Sequence, residues 1–296
     1  DNDPSPLLVL HPTLEMAQAF SKDRVAAGLI KSTPALRGKV KDPRSRDSGN
    51  TTLHKIFPGG AITMVGANSP SGLASRPIRI VLCDEVDRYP PSAGSEGDPI
   101  QLARKRSATF WNRKVIMVST PTNEGNSRIA EAYEQSDQRE FYVPCKHCKE
   151  YQTLTWSNVK WLEDQPETAA YMCSECAVLW SDSDRVWSIR NGQWHAGKEF
   201  TGVAGFAING LYSPWTPLAD GVKDFLKVKR SKTLNQVVSK RGKLRPWEPY
   251  TDHNPVECVL KVGGKGTRLG TVKQSRVRSQ KMVIRPNVAL FRGGTL

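Results

Sequence analysis

The run Ile80-Val81-Leu82-Cys83-Asp84-Glu85 places four apolar residues directly before two carboxylates. Four apolar residues in succession favour a strand that is buried on both faces, as in the sheet of an α/β domain. Ligands of such domains bind at the carboxyl edge of the sheet, where this strand would present Asp84 and Glu85. The pair fits nucleotide hydrolysis, in which Asp84 would hold Mg²⁺ and Glu85 would orient the attacking water. Acids also end ordinary strands by chance, so the run alone leaves both interpretations open.

Strands and helices alternate on both sides of this run. A strand at 7–10 leads through His11-Pro12-Thr13 into a helical pattern at 14–30, and further strands are expected at 61–65 and 114–119, with a helix at 98–109. This alternation predicts an α/β domain with a largely parallel sheet. The strand at 114–119 runs into Ser119-Thr120-Pro121-Thr122, whose hydroxyls could sense a γ-phosphate. The same residue types are also typical of a turn that merely ends a strand.

Four of the six cysteines form two Cys-x-x-Cys pairs, Cys145/Cys148 and Cys173/Cys176, separated by a segment with two short predicted strands. Four thiolates in this spacing predict a tetrahedral structural zinc site, with redox pairs or disulfides as the alternatives. His147 lies inside the first pair and is interpreted as a bystander. The zinc ion would help to fold a small module that cannot build a hydrophobic core of its own.

The net charge of +14 is unevenly distributed. Residues 1–220 contain 25 basic and 25 acidic residues, whereas residues 221–296 contain the remaining 18 basic and 4 acidic ones, so 18 − 4 = +14. Such a block is typical of a nucleic-acid contact or of a solvated tail. No run approaches the roughly 18 apolar residues of a membrane span, and no secretory signal is recognised at the first residues, so a cytosolic protein without membrane contact is expected.

Taken together, these motifs occur in an order that resembles the GpA family, the large terminase subunits of lambda-like phages. The resemblance runs from about residue 6 to about residue 215 and includes Val86–Pro90, Ser127-Arg128-Ile129 and Val143-Pro144-Cys145. It implies a P-loop NTPase-like sheet in an ATP-driven motor that moves viral double-stranded DNA into a procapsid, with a separate nuclease domain. Asp84 and Glu85 match the Walker B acids of the family, and Ser119-Thr120-Pro121 matches its coupling motif.

The resemblance also implies cofactors, partners and a location. The cofactors are ATP and Mg²⁺, beside the Zn²⁺ expected from the cysteines. The partners are the small terminase subunit, the portal protein of the procapsid and further copies of the chain in a ring, in the cytoplasm of the bacterial host.

The chain departs from the family pattern in two places. The phosphate-binding Walker A loop and its strand should precede Leu7, and the weakly similar Gly263-Gly264-Lys265-Gly266-Thr267 is interpreted as a flexible turn. The carboxylates of a two-metal nuclease are also missing, because only four acids follow residue 220. We therefore expect the chain by itself to hydrolyse ATP at background rates, and its basic tail to be an aberrant segment or a linker.

Two arginines are candidates for a role in ATP hydrolysis by the motor. The tryptophans are not candidates for DNA contact. Arg106, and with it Arg76, could stabilise a transferring phosphoryl group from a neighbouring subunit, although most such arginines are solvated. Six tryptophans are expected to pack in the core or in the zinc module rather than to stack on bases: Trp111, Trp156, Trp161, Trp180, Trp187 and Trp194.

The predicted organisation is a partial ATPase core at 1–140, a four-cysteine module at 141–183, a return segment at 184–225 and a basic tail at 226–296. A second hypothesis is a zinc-ribbon nucleic-acid-binding protein with an inactive α/β scaffold. A third is a helicase-like ATPase of another family. The Asp-Glu strand followed by the Ser-Thr-Pro strand favours the motor, since a pure binding module needs neither.

Overall fold

The computed structural model describes residues 3–42, 49–74, 76–122, 127–230, 256–262, 283–285 and 288–290. Residues 1–263 form one compact unit, and residues 264–296 form a second one.

The strands of the described residues are short and mostly belong to the first unit. They are β1 (Pro6–His11), β2 (His54–Phe57), β3 (Gly60–Gly66), β4 (Ile80–Asp84), β5 (Lys114–Ser119), β6 (Arg139–Pro144), β7 (Tyr151–Gln152), β8 (Val159–Leu162), β9 (Gln165–Met172), β10 (Leu179–Trp180), β11 (Gln193–Ala196), β12 (Val203–Ile208), β13 (Val256–Val262), β14 (Val283–Arg285) and β15 (Val288–Leu290).

Seven α-helices accompany these strands in the described part of the chain. They are α1 (Leu14–Ala19), α2 (Pro34–Arg37), α3 (Pro70–Ala74), α4 (Pro99–Arg106), α5 (Arg128–Glu134), α6 (Asp182–Arg190) and α7 (Leu218–Arg230). Helix α1 continues as a π-helix at Phe20–Lys31, which explains why the sequence shows one unbroken helical pattern from residue 14 onwards.

The main sheet of the first unit has the order β11-β6-β12-β13-β5-β4-β1-β3-β2, with β7 paired to β6. Strands β3, β1, β4 and β5 are parallel to one another, β12 is parallel to β6, and β2 is antiparallel to β3. Strand β13 lies between β5 and β12 and is antiparallel to both. Strands β5 and β12 therefore point in the same direction. The sheet is mixed, with four parallel and five antiparallel pairings among the described strands, so the predicted parallel arrangement holds for its central part β3-β1-β4-β5 and not for the whole sheet.

Both faces of the central strands are covered by apolar packing. On one face, Leu8, Leu10, Val81 and Cys83 pack with residues of α3 and α4. On the other, Val9 and Met64 pack against α1 and the π-helix. Burial on both faces explains why β1 and β4 appear in the sequence as continuous apolar runs.

A second apolar core joins the four-cysteine segment to the residues that follow it. Val143, Leu154 and Tyr171 share this core with Leu211, Tyr212 and α7. The buried Trp156 and the half-buried Trp161 both contact Phe225 of α7. The core thus crosses the boundary placed at residue 183, and the cysteine segment packs against α7 in addition to any support from zinc.

The guanidinium of Arg185 in α6 is buried beside this second core and links several of its segments by hydrogen bonds. Its side chain is 1% exposed. It donates hydrogen bonds to the carbonyls of Leu211, Ser213 and Thr216 and pairs with Asp182 at 2.7 Å. A buried charge is tolerated here because the guanidinium fork has partners on several sides.

Candidate functional site

Asp84 lies at the carboxyl edge of the sheet, as the sequence predicts. The register pairs Leu10 with Cys83 and Asp84 with Val118, so the ends of β1, β4 and β5 lie side by side. The Nδ1 atom of His11, the last residue of β1, lies 3.5 Å from Oδ2 of Asp84. The Asp84 carboxylate at the end of β4 thus lies beside the end of the neighbouring parallel strand β1.

The surroundings of Asp84 disfavour its charged form. Burial, together with the adjacent Glu85 charge, raises the pKa of Asp84 to about 6. Burial also lowers the pKa of His11 to about 4, which keeps the imidazole neutral near pH 7. The Nε2 atom of His11 is buried without a hydrogen-bond partner among the described residues. Among the described residues no lysine or arginine forms an ion pair with Asp84, and a half-buried carboxylate beside a neutral imidazole is an environment that a divalent metal ion would stabilise.

Glu85 adopts a backbone conformation that is unusual for glutamate. Its φ and ψ angles are 56° and 49°, in the left-handed region. Residues other than glycine adopt this conformation at a cost of about 1 kcal/mol or more, and such residues cluster at functional sites. The carboxylate of Glu85 pairs with Nε of Arg88 at 3.3 Å. This strained backbone conformation bends the chain sharply directly after β4. The side chains of Asp84 and Glu85 therefore leave the chain in different directions.

The turn after Glu85 is fixed to three other elements. The backbone N–H of Asp87 donates to Oγ of Ser119 at 3.2 Å, which lies at the tip of β5. The Asp87 carboxylate accepts from the backbone N–H groups of Thr122 and Ile129 at 3.0 Å and 2.9 Å. The hydroxyl of Tyr89 donates to the carbonyl of Leu10 at 2.9 Å. The segment that holds the acids is therefore connected to β1, to β5 and to the start of α5.

Ser119 and Thr120 lie next to the two acids, as expected for neighbouring strand tips. Ser119 follows Val118, the register partner of Asp84. The Ser119 side chain is buried, and its hydroxyl donates to the carbonyl of Thr120 at 3.2 Å. Thr120 is half-buried. The structure brings Asp84, Glu85, Ser119 and Thr120 together at one edge of the sheet.

The candidate arginines do not join this cluster. The carbonyl of Arg106 accepts from the backbone N–H of Ile78, which lies before the start of β4, and its Nε donates to the carbonyl of Leu73 at 3.0 Å. Arg106 is therefore at the amino edge of the sheet, about 13 Å of strand length from Asp84. Arg76 is exposed and lies 3.3 Å from the His54 imidazole. Neither arginine can reach a nucleotide at Asp84 of the same chain.

The four cysteines Cys145, Cys148, Cys173 and Cys176 meet as predicted. Their sulfur atoms all lie within 4.8 Å of one another, and the pairs Cys145–Cys176 and Cys148–Cys173 are 3.8 Å apart. A tetrahedron with Zn–S bonds of about 2.3 Å has edges of about 3.8 Å. These separations fit a zinc ion and are almost twice the length of a disulfide bond, about 2.05 Å. All four are free thiols.

The two cysteine turns are built in the same way. In each, the backbone N–H four residues after the first cysteine donates to the carbonyl of that cysteine, from Lys149 to Cys145 and from Ala177 to Cys173. Both Lys149 and Ala177 have positive φ, at 67° and 57°. The repeated turn aims each pair of sulfurs at the same point between them.

Gln152 supports the site from β7. Its buried side chain donates from Nε2 to the Cys173 sulfur at 3.1 Å, and its Oε1 accepts from the backbone N–H of Ser174 at 2.9 Å. Burial raises the pKa of the Cys173 thiol, but hydrogen bonds from the backbone of Cys176 and Glu175 and from Gln152 outweigh this effect and bring the pKa to about 7. A thiol that ionises this readily is suited to bind a metal ion.

Three contributors to these sites were missed by sequence reasoning: His11, Asp87 and Gln152. His11 and Asp87 were quoted only as parts of motifs. Their roles depend on which strands are neighbours, and one sequence carries no signal for that. Gln152 had a weak signal, since it follows the first cysteine pair by four residues in a predicted strand.

A parallel sheet with two consecutive carboxylates and a pair of hydroxyls on its carboxyl edge fits the class of ATPase domains. The family model of the phage terminase large subunit gpA ATPase domain matches residues 1–194. Since this match covers well over half of the 296 residues, the chain belongs to that family. The family resemblance seen in the sequence is thereby confirmed.

A curated relative agrees with this assignment. The chain is 29% identical over 245 residues to a protein described as "Terminase, large subunit" from Enterobacteria phage P21. The match covers 74% of this chain and 38% of the relative, so the chain corresponds to well under half of that protein's length. No solved structure matches the chain. Among the described residues, no helix is long and apolar enough to cross a membrane.

Proposed function

We propose that this chain is the ATPase motor portion of a viral DNA-packaging terminase, coupling ATP hydrolysis to the movement of double-stranded DNA. The observation that carries the proposal is the position of Asp84 and Glu85 at the carboxyl edge of the sheet, next to Ser119 and Thr120. Membership of the gpA ATPase-domain family supports ATPase activity in general. The four residues at this edge have the side chains that ATP hydrolysis requires.

Each residue of the site has a distinct task in this proposal. Mg²⁺, when bound with ATP, would neutralise charge on the phosphate oxygens. The carboxylate of Asp84 would hold the ion, and the neutral His11 imidazole lies 3.5 Å from its Oδ2 atom. Glu85 accepts a hydrogen bond from the attacking water and orients it towards the γ-phosphate. Ser119 and Thr120 detect loss of the γ-phosphate through their hydroxyls.

The zinc site has a structural role in this proposal. Cys145, Cys148, Cys173 and Cys176 would hold one Zn²⁺, which ties the two cysteine turns together beside the core shared with α7. Four thiolate ligands leave no open coordination position, which is typical of structural rather than catalytic zinc.

The proposed partners follow from terminase membership. They are double-stranded DNA, the small terminase subunit, the portal protein of the procapsid and further copies of the chain in a ring, within the cytoplasm of the host bacterium. Since Arg106 lies at the amino edge of its own sheet, it would stabilise a transferring phosphoryl group only on a neighbouring subunit.

We further propose that the 296-residue chain alone hydrolyses ATP at background rates and has no nuclease activity. A phosphate loop with the Gly-x-x-x-x-Gly-Lys-Ser/Thr pattern is absent from its sequence. The glycine-rich segment 263–267 and most of the basic tail lie outside the described residues. Of the four acids after residue 220, Asp224 is paired with Lys227 on α7 at 3.0 Å.

A chimera tests the motor proposal directly. Residues 1–230 would replace the matching segment of the phage P21 large subunit, which supplies the remaining parts, and ATP hydrolysis would be measured with the parent protein as reference. We expect hydrolysis by the chimera to fall by about 100-fold or more on Glu85→Gln. The matched control is Glu96→Gln, which removes an exposed acid with no described side-chain contact.

The outcome also separates the motor from the nucleic-acid-binding alternative. Hydrolysis that is unaffected by Glu85→Gln, in a chimera that folds and binds zinc, would contradict the motor proposal. DNA binding that persists in that case would favour the zinc-ribbon protein with an inactive scaffold. Strong hydrolysis by the 1–296 chain itself would contradict the proposed need for a separate phosphate loop.

A further inference from the structure

Charge is segregated between the two edges of the sheet around β4 and β5. The carboxyl edge carries the acids Asp84, Glu85 and Asp87. The amino edge begins at Ile80 and Lys114, which are register partners. Lys105 and Arg106 end α4, which is hydrogen-bonded to Ile78 at this same amino edge, and Arg113 directly precedes β5. The basic side chains of α4 and of the segment before β5 are thus gathered at the amino edge, at the opposite end of β4 from Asp84 and Glu85.

Within the part of the chain that the structure describes, Lys105, Arg113 and Lys114 make no ion pair. Asp3 lies at the same edge, where it pairs with the buried Arg79 and also interacts electrostatically with Lys114. Lys105 and Lys114 are exposed, and their ammonium groups make no hydrogen bond or ion pair with any residue that the structure describes. The guanidinium of Arg113 uses one nitrogen on the carbonyl of Phe110 at 3.4 Å and retains the others.

Trp111 lies between Lys105 and Arg113 in the chain and is exposed. Its exposed fraction is 74%, the highest of the large apolar residues described in the chain. This overturns the expectation that Trp111 packs in a core, whereas Trp156 and Trp180 are buried as expected. A solvent-exposed indole together with basic side chains is typical of surfaces that contact the sugars, bases and phosphates of nucleic acids.

We propose that Lys105, Trp111, Arg113 and Lys114, called the basic edge below, bind the backbone of double-stranded DNA. The choice of DNA as the partner rests on the proposed function; the choice of an anionic partner rests on the charges alone. The three cations contact phosphates, which fixes position without reading sequence, and the indole packs against the sugar-phosphate chain. DNA would then lie at the opposite end of β4 and β5 from the acids that act on ATP.

The salt dependence of DNA binding by the full 296-residue chain tests the role of the lysines. A 30-base-pair duplex of arbitrary sequence is the probe, and the slope of log K against log salt is measured. Lys105→Gln with Lys114→Gln removes two phosphate contacts and should reduce the magnitude of the slope by about 1.8. The matched control is Lys22→Gln with Lys160→Gln, two lysines that are also exposed but lie elsewhere in the chain, and it should leave the slope unchanged.

The role of the indole is tested by Trp111→Ala. We expect about a fivefold loss of DNA affinity with an unchanged slope, because no charge is removed. Zinc content and circular dichroism verify that each variant is folded. If the lysine pair and its control reduce the slope equally, or if the chain binds no DNA, the inference is overturned.

The other occupant of such a surface would be a second copy of the chain. Self-association that weakens in Trp111→Ala by sedimentation velocity, with DNA binding unchanged, would overturn the inference in favour of a subunit interface. These experiments can overturn the DNA-binding inference without affecting the motor proposal. The motor proposal is decided separately, by the effect of Glu85→Gln on ATP hydrolysis in the chimera.

Discussion

The backbone N–H of Thr122 donates a hydrogen bond to the carboxylate of Asp87 at 3.0 Å. The other oxygen of the same carboxylate accepts from the N–H of Ile129 at 2.9 Å. A single side chain therefore joins the turn after the two acids to the segment beyond β5 and to the start of α5.

Asp87→Asn should lower the free energy of unfolding by about 1–2 kcal/mol. An asparagine amide has one acceptor oxygen and cannot satisfy both backbone N–H groups, and hydrogen bonds to charged groups contribute about this amount. Urea unfolding at pH 7.5 measures the change. Glu96→Gln, which removes a nearby exposed acid, should change stability by less than about 0.5 kcal/mol. A loss no larger than that of Glu96→Gln would show that the network contributes little.

Asp84→Asn should stabilise the metal-free chain, and only at high pH. The folded-state pKa of Asp84, about 6, is above its ordinary value of 3.8. The protonated form is therefore favoured by folding, and the stability that it contributes is complete below about pH 4 and lost as the pH rises through 6.

Asparagine stays neutral, so the variant should exceed the parent by about 1–2 kcal/mol at pH 8 and by nothing at pH 4. The shift alone would give a larger value, but the side chain is 37% exposed, and solvent screening reduces it. Urea unfolding of both proteins at the two pH values, without divalent cations, provides the comparison. Equal stability of the two proteins at pH 8 would contradict the raised pKa described for Asp84.

Arg185→Met should lower the free energy of unfolding by about 3 kcal/mol or more. Methionine fills much of the space but leaves the carbonyls of Leu211, Ser213 and Thr216 without the donor they have now, and each buried group without a partner is costly. Thermal unfolding monitored by circular dichroism measures the effect. Arg190→Met, at the exposed end of the same helix, is the control and should be nearly neutral.

One zinc ion should bind per chain, and Gln152→Leu should weaken its binding by about tenfold without removing it. The amide of Gln152 donates to the Cys173 sulfur and orients the Ser174 turn, and loss of such outer contacts commonly costs 10- to 100-fold in affinity. Competition with a chromophoric chelator measures the affinity, with Cys173→Ser as the variant that loses a ligand. A folded, reduced chain that contains no zinc would contradict the metal site.

Much of the central fold could be predicted because its strands are buried on both faces. The strands β1, β4 and β5 appear as apolar runs ending in His11, Asp84 and Ser119, and their ends determine the edge at which the site lies. The four-cysteine site could be predicted because its ligands are adjacent in two short motifs. In both cases the relevant signal is local in the sequence.

Features that depend on long-range pairing could not be predicted. The hairpin partner β2 and the edge strand β11 lack distinctive apolar runs, and the antiparallel β13 comes from a segment without clear periodicity. The exposure of Trp111 was missed because a tryptophan between Phe110 and Arg113 looks the same in a sequence whether it packs or not. The role of Asp87 depends on the meeting of residues 32 to 42 positions apart.

Paramagnetic broadening by Mn²⁺ tests the central claim most directly, because it detects a divalent cation at the carboxyl edge of the sheet without requiring hydrolysis. Backbone amide signals of the 296-residue chain would be recorded by NMR during titration with Mn²⁺, for the parent and for Asp84→Asn. The account predicts selective broadening at Asp84 to Asp87 and at Ser119 to Thr122 in the parent, and its loss in the variant. Broadening elsewhere, or broadening at these residues that is the same in Asp84→Asn, would contradict it.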